Sequence, residues 1–270
     1  MMFNSRGLYL WGGLLLAVLM LSLLAPFFTR YDPVEVDLHS VFSPPDSNHW
    51  LGTDHLGRDV WSRLLYGGRA SLAVAFVSVL ISSIIGVVYG GISGYIGGWI
   101  DQFMMRILEA LLAIPTLVII LAMQAFVQGG IWSLILIIGL TGWMPAARVV
   151  RSQVLELKGQ GFVQAAYLLG TPAWKIFSIH LLRNSLAGIF VITVFQCAGA
   201  IFTEVSLTFL GIGLPPEMPS WGNMLSFAQK DILLGAWWVA LFPGLMIVLT
   251  LLSINFIGES LKRKFGYRGG

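Results

Sequence analysis

Residues 70–100 read ASLAVAFVSVLISSIIGVVYGGISGYIGGWI, bounded by Arg69 and Asp101 and without one charged side chain between them. A helix crossing a bilayer needs about 20 mostly apolar residues, because lipid offers no partner to an unpaired backbone group. This stretch is long enough with residues to spare. Working outward, the same pattern recurs. Leu8 to Phe28 carries no charge, and Ala25-Pro26-Phe27-Phe28 offers no small-x-small cleavage site, so an uncleaved first span is expected. Ala110 to Ala147 is too long for one helix. Gln128-Gly129-Gly130 divides it into spans three and four, with span three starting near Gln102. Ser185 to Pro216 holds one acid, Glu204, and Ile232 to Gly258 forms the last span. The expectation is an all-α membrane protein with six transmembrane helices.

Composition agrees. Of 270 residues, 57% are hydrophobic and 11% charged, and the mean hydropathy is +0.82. Ordinary soluble domains hold roughly 45–50% apolar and about 25% charged residues. The net charge of +3 comes without any basic run beyond Lys262-Arg263-Lys264, a poor surface for nucleic acid. A single cysteine, Cys197, excludes an intrachain disulfide.

The placement of charge orients the chain. With the N-terminus inside, the cytoplasmic segments hold Arg6, Arg106, Arg148, Arg151, Lys158, Lys175, Arg183, Lys262, Arg263, Lys264 and Arg268. The outer loops hold Arg30, Arg58, Arg63, Arg69 and Lys230, and loop 29–69 adds six acids (Asp32, Glu35, Asp37, Asp46, Asp54, Asp59). This asymmetry places both termini in the cytoplasm. The chain divides into a first helix with an extracytoplasmic loop (1–69), a core transmembrane domain (70–262) and a cytoplasmic tail (263–270). A second long outer loop covers 212–231.

The segment 150–184 is too polar to span. Its apolar residues Phe162, Ala165, Ala166, Leu169, Trp174, Ile176, Phe177, Ile179 and Leu182 are spaced like helix faces that need a partner. Gly170-Thr171-Pro172 divides it into two short helices, with Gly at the left-handed C′ position, Thr as N-cap and Pro at N1. Such an element is a docking surface or an amphipathic hairpin lying on lipid.

Three motifs carry a resemblance. Gln164-Ala165-Ala166, three residues, Gly170 and then Ile179-His180-Leu181-Leu182-Arg183-Asn184 resemble the EAA loop of ATP-binding-cassette (ABC) importer permeases. Trp50-Leu51-Gly52-Thr53-Asp54-His55-Leu56-Gly57-Arg58-Asp59, and Glu204 to Gly213 followed by Pro219-Ser220-Trp221-Gly222, are similar to the C-type subunit of the dipeptide/oligopeptide/nickel branch. The likeness runs from about residue 8 to 262. Gln164 stands where an acid is usual, and Arg183 where a proline is common. The resemblance implies the permease fold of type I ABC importers, in a multi-pass protein of the bacterial plasma (inner) membrane. It implies an ATP-driven importer of peptides, nickel or a metal chelate. The partners would be a homologous permease forming a heterodimer, two ATPase subunits and an extracytoplasmic substrate-binding protein. ATP and Mg would be bound by the ATPases. The chain itself has no G-x-x-x-x-G-K-[ST] phosphate loop, catalyses no covalent chemistry and needs no cofactor. Gln164, Ala165, Ala166, Leu169, Gly170, Thr171 and Pro172 would then be the coupling element seated on an ATPase.

In loop 29–69, Tyr31-Asp32-Pro33 and Pro44-Pro45 predict an extended first half. Leu56, Val60, Leu64 and Leu65 predict a short helix from Asp54 onward. This region either receives the binding protein, with Asp54, His55, Arg58, Asp59 and Trp221 as contacts, or covers the outer mouth. Asp54, His55 and Asp59 lack the spacing of a metal cluster, and no metal ligands are assigned. Gly86, Gly90, Gly94 and Gly98 form a small-xxx-small series for helix packing, within this subunit or against the second permease. In span five, Thr193, Gln196, Cys197, Ala200, Thr203 and Glu204 share one sector. Polar groups in a bilayer face a bundle interior or a water-filled path, so Thr193, Gln196, Ala200, Thr203 and Glu204 are candidates for the translocation path or for interhelical hydrogen bonding. Gln124 and Asn255 are weaker candidates of the same kind.

Two other classes fit less well. A secondary transporter or channel would show paired broken helices or several buried carboxylates, and has no need of a long helix–Gly–helix segment. An intramembrane serine protease would need a base near Ser93 of Gly91-Ile92-Ser93-Gly94, and His39, His49, His55 and His180 all lie outside the spans.

Overall fold

The computed structural model describes residues 5–127 and 129–265; Gln128 and the tail from residue 266, with Arg268, lie outside the described residues. Among the described residues, twelve α-helical segments make up the order, with one isolated antiparallel bridge, Thr53 to Asp59. They are α1 (Ser5–Leu23), α2 (Ala25–Phe28), α3 (Val60–Ile96), α4 (Gly98–Leu112), α5 (Thr116–Phe126) and α6 (Ile131–Thr141). Next come α7 (Met144–Lys158), α8 (Gly161–Leu168), α9 (Ala173–Lys175), α10 (Arg183–Phe209), α11 (Trp221–Asp231) and α12 (Trp238–Lys264).

Among the described residues, four helical stretches are long and apolar enough to cross a membrane: Val60–Ile96, Ile131–Lys158, Ala173–Phe209 and Trp238–Lys264. The pair α4 and α5 makes a fifth if counted as one span, and Gly7–Leu23 is a shorter apolar helix. The predicted third span is therefore not one straight helix. It bends by 82°. Pro115 is the cause: it lacks the N–H that would continue the ladder, and the chain restarts with Val118 N–H donating to the Pro115 carbonyl at 2.8 Å.

Helix starts differ from the sequence reading in three places. The short outer helix and span two are one helix, because the Asp59 carboxylate accepts from Ser62 N and Ser62 Oγ, both at 2.8 Å, and caps α3 ten residues before Ala70. The 212–231 loop contains α11, capped by Ser220 Oγ accepting from Asn223 N at 3.1 Å. The last span begins at Trp238 rather than Ile232, since Gly235 turns left-handed (φ 91°) after a 3-10 turn.

The chain forms two compact units. One comprises Met1–Phe76, Val127–Ile135 and Cys197–Ile257; the other comprises Val77–Phe126, Leu136–Gln196 and Gly258–Gly270. On α3, Phe76, Leu80, Ile84, Val88, Ile92 and Ile96 are all exposed at a spacing of four, an outward apolar stripe suited to lipid or another apolar helix. The glycine series lies on a different face. A Cβ at Gly90 would sit 2.2 Å from the Ala147 carbonyl oxygen, and one at Gly94 would sit 2.9 Å from that of Arg151. Glycine here lets α7 lie directly on α3, so the packing within this subunit is what Gly86, Gly90 and Gly94 serve.

Candidate functional site

The segment 159–182 stands on α7. Val163 and Ala166 of α8 are buried with Val150 and Val154 of α7 and with Ile176 and Leu181, and Val87, Tyr95, Leu157, Phe177 and Ile189 pack around them. Hence Ala166 faces the core. Gln164 and Ala165 are exposed on the other side of α8. The helix ends as its sequence demands: Gly170 has φ 74°, Thr171 N–H reaches the Ala166 carbonyl and Gly170 N–H the Tyr167 carbonyl, both at 3.0 Å. That is the two-bond left-handed helix stop, and it needs a residue without a Cβ at Gly170.

Beyond the turn the structure departs from expectation. Pro172 (φ −62°, ψ 144°) holds the N-cap position and α9 starts at Ala173, so Thr171 is not the cap and Pro172 is not the first helical residue. Nor is the second helix short. It passes through a π-helical turn, Ile176–Leu182, straight into α10, giving one apolar helix from Ala173 to Phe209. π-Turns widen a helix by one residue and recur at functional positions. Around the left-handed stop, Leu168 is 89% exposed, Leu169 85% and Trp174 66%. Leu168 and Leu169 lie outside the four spanning helices and Trp174 in the first turn of one, so three large apolar side chains are exposed together here.

The same unit anchors α7 to the end of α3 and the start of α4. Arg151 Nε and Nη2 donate to Asp101 Oδ1 and Oδ2 at 2.5 and 2.6 Å, and Ser93 Oγ donates to Oδ1 as well. Lys158 Nζ donates to the Tyr95 carbonyl at 2.6 Å, and Tyr89 OH to that of Met104 at 2.7 Å. None of this was readable locally, because Asp101 and Arg151 are fifty positions apart.

The polar sector of α10 divides between the units. In one, Gln196 Nε2 donates to the Gly142 carbonyl at 2.9 Å, and Ser83 Oγ lies 3.2 Å from Thr193 Oγ1 and 3.3 Å from Gln196 Oε1. In the other, Ala200 is buried, Thr203 is half-buried and bonds to its own Gly199 carbonyl, and Glu204 is fully enclosed. Thr208 Oγ1 donates to Glu204 Oε1 at 3.1 Å, and the Ser71 hydroxyl also acts on this carboxylate. Asn255 bonds back to the Leu251 carbonyl, and Gln124 Oε1 is buried without a partner.

The first unit also carries a loop cap. Asp54 accepts from Arg58 Nε at 2.7 Å and from the Leu56 and Arg58 amides, with Arg63 Nε at 3.6 Å. His49 Nδ1 pairs with Asp59 at 3.0 Å, and His55 Nδ1 with Asp231 at 3.2 Å. Burial pushes the Asp231 carboxyl above its usual range, and His55 pulls the other way. Trp221 is fully buried, its indole donating to the Leu64 carbonyl at 3.0 Å; Trp238 does the same to Thr53. Of the five residues expected to meet a partner, only His55 is appreciably open. Asp54, Arg58, Asp59 and Trp221 are buried and hold the cap together. Leu38 and Trp50 are among the exposed apolar residues of loop 29–69, and neither was named as a contact, although Trp50 opens the quoted motif.

Known proteins are similar in sequence over most of this chain. Residues 86–267 match the model of the family described as binding-protein-dependent transport system inner membrane component. A putative peptide permease protein of Brucella suis is 40% identical over 261 residues, 96% of this chain and 86% of its own length. The dipeptide transport system permease protein DppC of Bacillus subtilis is 38% identical over 92% of this chain and 78% of its own length. The oligopeptide transport system permease protein OppC of the same organism is 34% identical over 96% and 85%.

Proposed function

The chain belongs to the family of binding-protein-dependent transport system inner membrane components, and from that premise we propose that it is a peptide permease subunit of an ATP-driven importer. The observation that carries this reading is the 159–182 segment: a helix–Gly–helix element whose inner face is packed and whose outer face leaves Leu168, Leu169 and Trp174 bare. Here Gln164, Ala165, Leu169, Gly170, Thr171 and Pro172 meet an ATPase subunit, while Ala166 positions them from below. The helix running unbroken from Ala173 to Phe209 supports the coupling role, because motion at its docked end is carried along its length.

In this reading six segments cross the membrane, counting Gly7–Leu23 and the bent pair, with both termini in the cytoplasm as the charge asymmetry favours. A homologous permease completes the translocation path, to which Thr193, Gln196, Ala200, Thr203 and Glu204 contribute. The loop cap faces outward and receives a binding protein, framed by Asp54, His55, Arg58, Asp59 and Trp221. The names of the relatives favour peptides over nickel or a metal chelate as cargo. ATP and Mg reside on the ATPase subunits.

The test is mild detergent extraction followed by reconstitution. The chain is expected to bring with it an ATPase and a second permease, and to take up dipeptides or oligopeptides only with ATP and binding protein. Transport by this chain without any ATPase would assign it to the secondary transporters instead.

A further inference from the structure

The mechanism above needs a route from the docking face into the membrane helices, and hydrophobic packing alone is a poor one. Apolar contacts are non-directional, so by themselves they set no single angle and register between α7, α8 and their neighbours. A bidentate guanidinium–carboxylate pair is different: it fixes distance, register and angle together. We propose that Asp101 and Arg151 form a positioning strut that transmits displacement of the 159–182 segment to the corner between α3 and α4.

Arg151 sits on α7 between Val150 and Val154, the two residues on which α8 rests. Less than one turn of α7 therefore separates Arg151 from Val154, on which the docking element is packed. On the far side, Asp101 lies in the first turn of α4, just past the corner at Gly97 (φ 71°) where α3 ends. Its carboxylate is gripped from two helices, by Arg151 of α7 and Ser93 of α3. The α7 backbone meets α3 at the same level through Gly94, and Lys158 closes the end of α3 through the Tyr95 carbonyl. Three helix segments are thus joined at one carboxylate. Arg148, one turn earlier on α7, is exposed and pairs with no carboxylate among the described residues.

This proposal rests on the importer reading, and the experiment separates the two. The complete complex of both permeases and both ATPases is reconstituted in liposomes with binding protein, carrying Asp101→Asn, Arg151→Lys or Arg148→Gln in this chain. ATP hydrolysis and peptide uptake are measured on the same vesicles. Asp101→Asn is expected to assemble and hydrolyse ATP within about twofold of wild type, while uptake per ATP falls about tenfold, within the range of site-to-site coupling energies. Arg151→Lys, which keeps the charge and loses the second bond, is expected to fall less, and Arg148→Gln to match wild type. Asp101→Arg combined with Arg151→Asp is expected to couple better than Asp101→Arg alone. Unchanged uptake per ATP in Asp101→Asn would overturn the strut. So would a parallel loss of assembly, hydrolysis and uptake in both Asp101→Asn and Arg151→Lys, the signature of a residue that only supports folding. A wild-type chain that recruits no ATPase overturns the importer reading itself.

Discussion

His55 Nδ1 lies 3.2 Å from a carboxylate oxygen of Asp231, across 176 positions of sequence. The pair ties the loop that precedes α3 to the end of α11, and Phe227 of α11 packs its ring 5.0 Å from the imidazole. Arg58 stands over the other reach of Phe227, and Asp54 and Arg58 both act on the Asp231 carboxyl. Burial is the larger influence and raises the carboxyl's pKa.

The sign of the pH effect follows. A carboxyl that holds its proton more tightly folded than unfolded stabilises the fold below its unfolded value of 3.8, and that contribution is lost as pH rises through the raised folded value. Subtracting the Asp231→Asn profile from that of wild type should therefore leave stability that declines as pH rises from about 3.8. Thermal unfolding in detergent, with hydrogen exchange of residues 54–63 and 221–231, measures it. A flat or rising difference would contradict the burial of this carboxyl.

At Gly90 the close approach predicts a steric penalty. Gly90→Ala places a methyl group 2.2 Å from the Ala147 carbonyl oxygen, and overpacking of this kind costs about 1–3 kcal/mol. Gly12→Ala on α1 meets nothing within 4 Å and should be neutral or slightly stabilising. Denaturation midpoints of the two variants should separate accordingly.

The docking face and its support should respond oppositely. Leu168→Ser with Leu169→Ser changes exposed side chains and should shift stability by no more than about 0.5 kcal/mol, while ATPase co-purification falls sharply. Val163→Ser buries a hydroxyl in the cluster beneath and should lower stability by about 1–3 kcal/mol. Equal ATPase recovery with the double Leu variant would remove the docking assignment.

Along α10, cysteine labelling distinguishes path from packing. With Cys197→Ser as background, Gln196→Cys and Thr203→Cys should react with a water-soluble maleimide in at least one nucleotide state. Glu204→Cys should stay protected in the resting protein, since that position is fully enclosed beside Thr208. Protection of the whole face in every state would assign these groups to helix packing.

Much of this chain was legible because its determinants are local. Charge-free runs of span length mark apolar helices whatever they pack against, since lipid leaves the backbone no other partner. The left-handed stop at Gly170 was readable for the same reason: it is a property of a few consecutive residues. Even the bend at Pro115 had its signal in place, a proline in the middle of an apolar run, though length alone suggested one straight helix.

What only the tertiary structure decided involves partners distant in sequence. That Asp54, Arg58 and Trp221 are buried struts rather than open contacts depends on Arg63, Leu64 and Asp59 folding over them. That α3 begins at Val60 depends on a carboxylate cap formed beside a loop. That Arg151 grips Asp101, rather than merely orienting the chain, depends on two glycines letting α7 lie against α3. Hydropathy is a sum over neighbours in sequence and can be read one segment at a time. A hydrogen-bonded ion pair is a relation between segments, and it exists only once packing has brought both ends within about 3 Å.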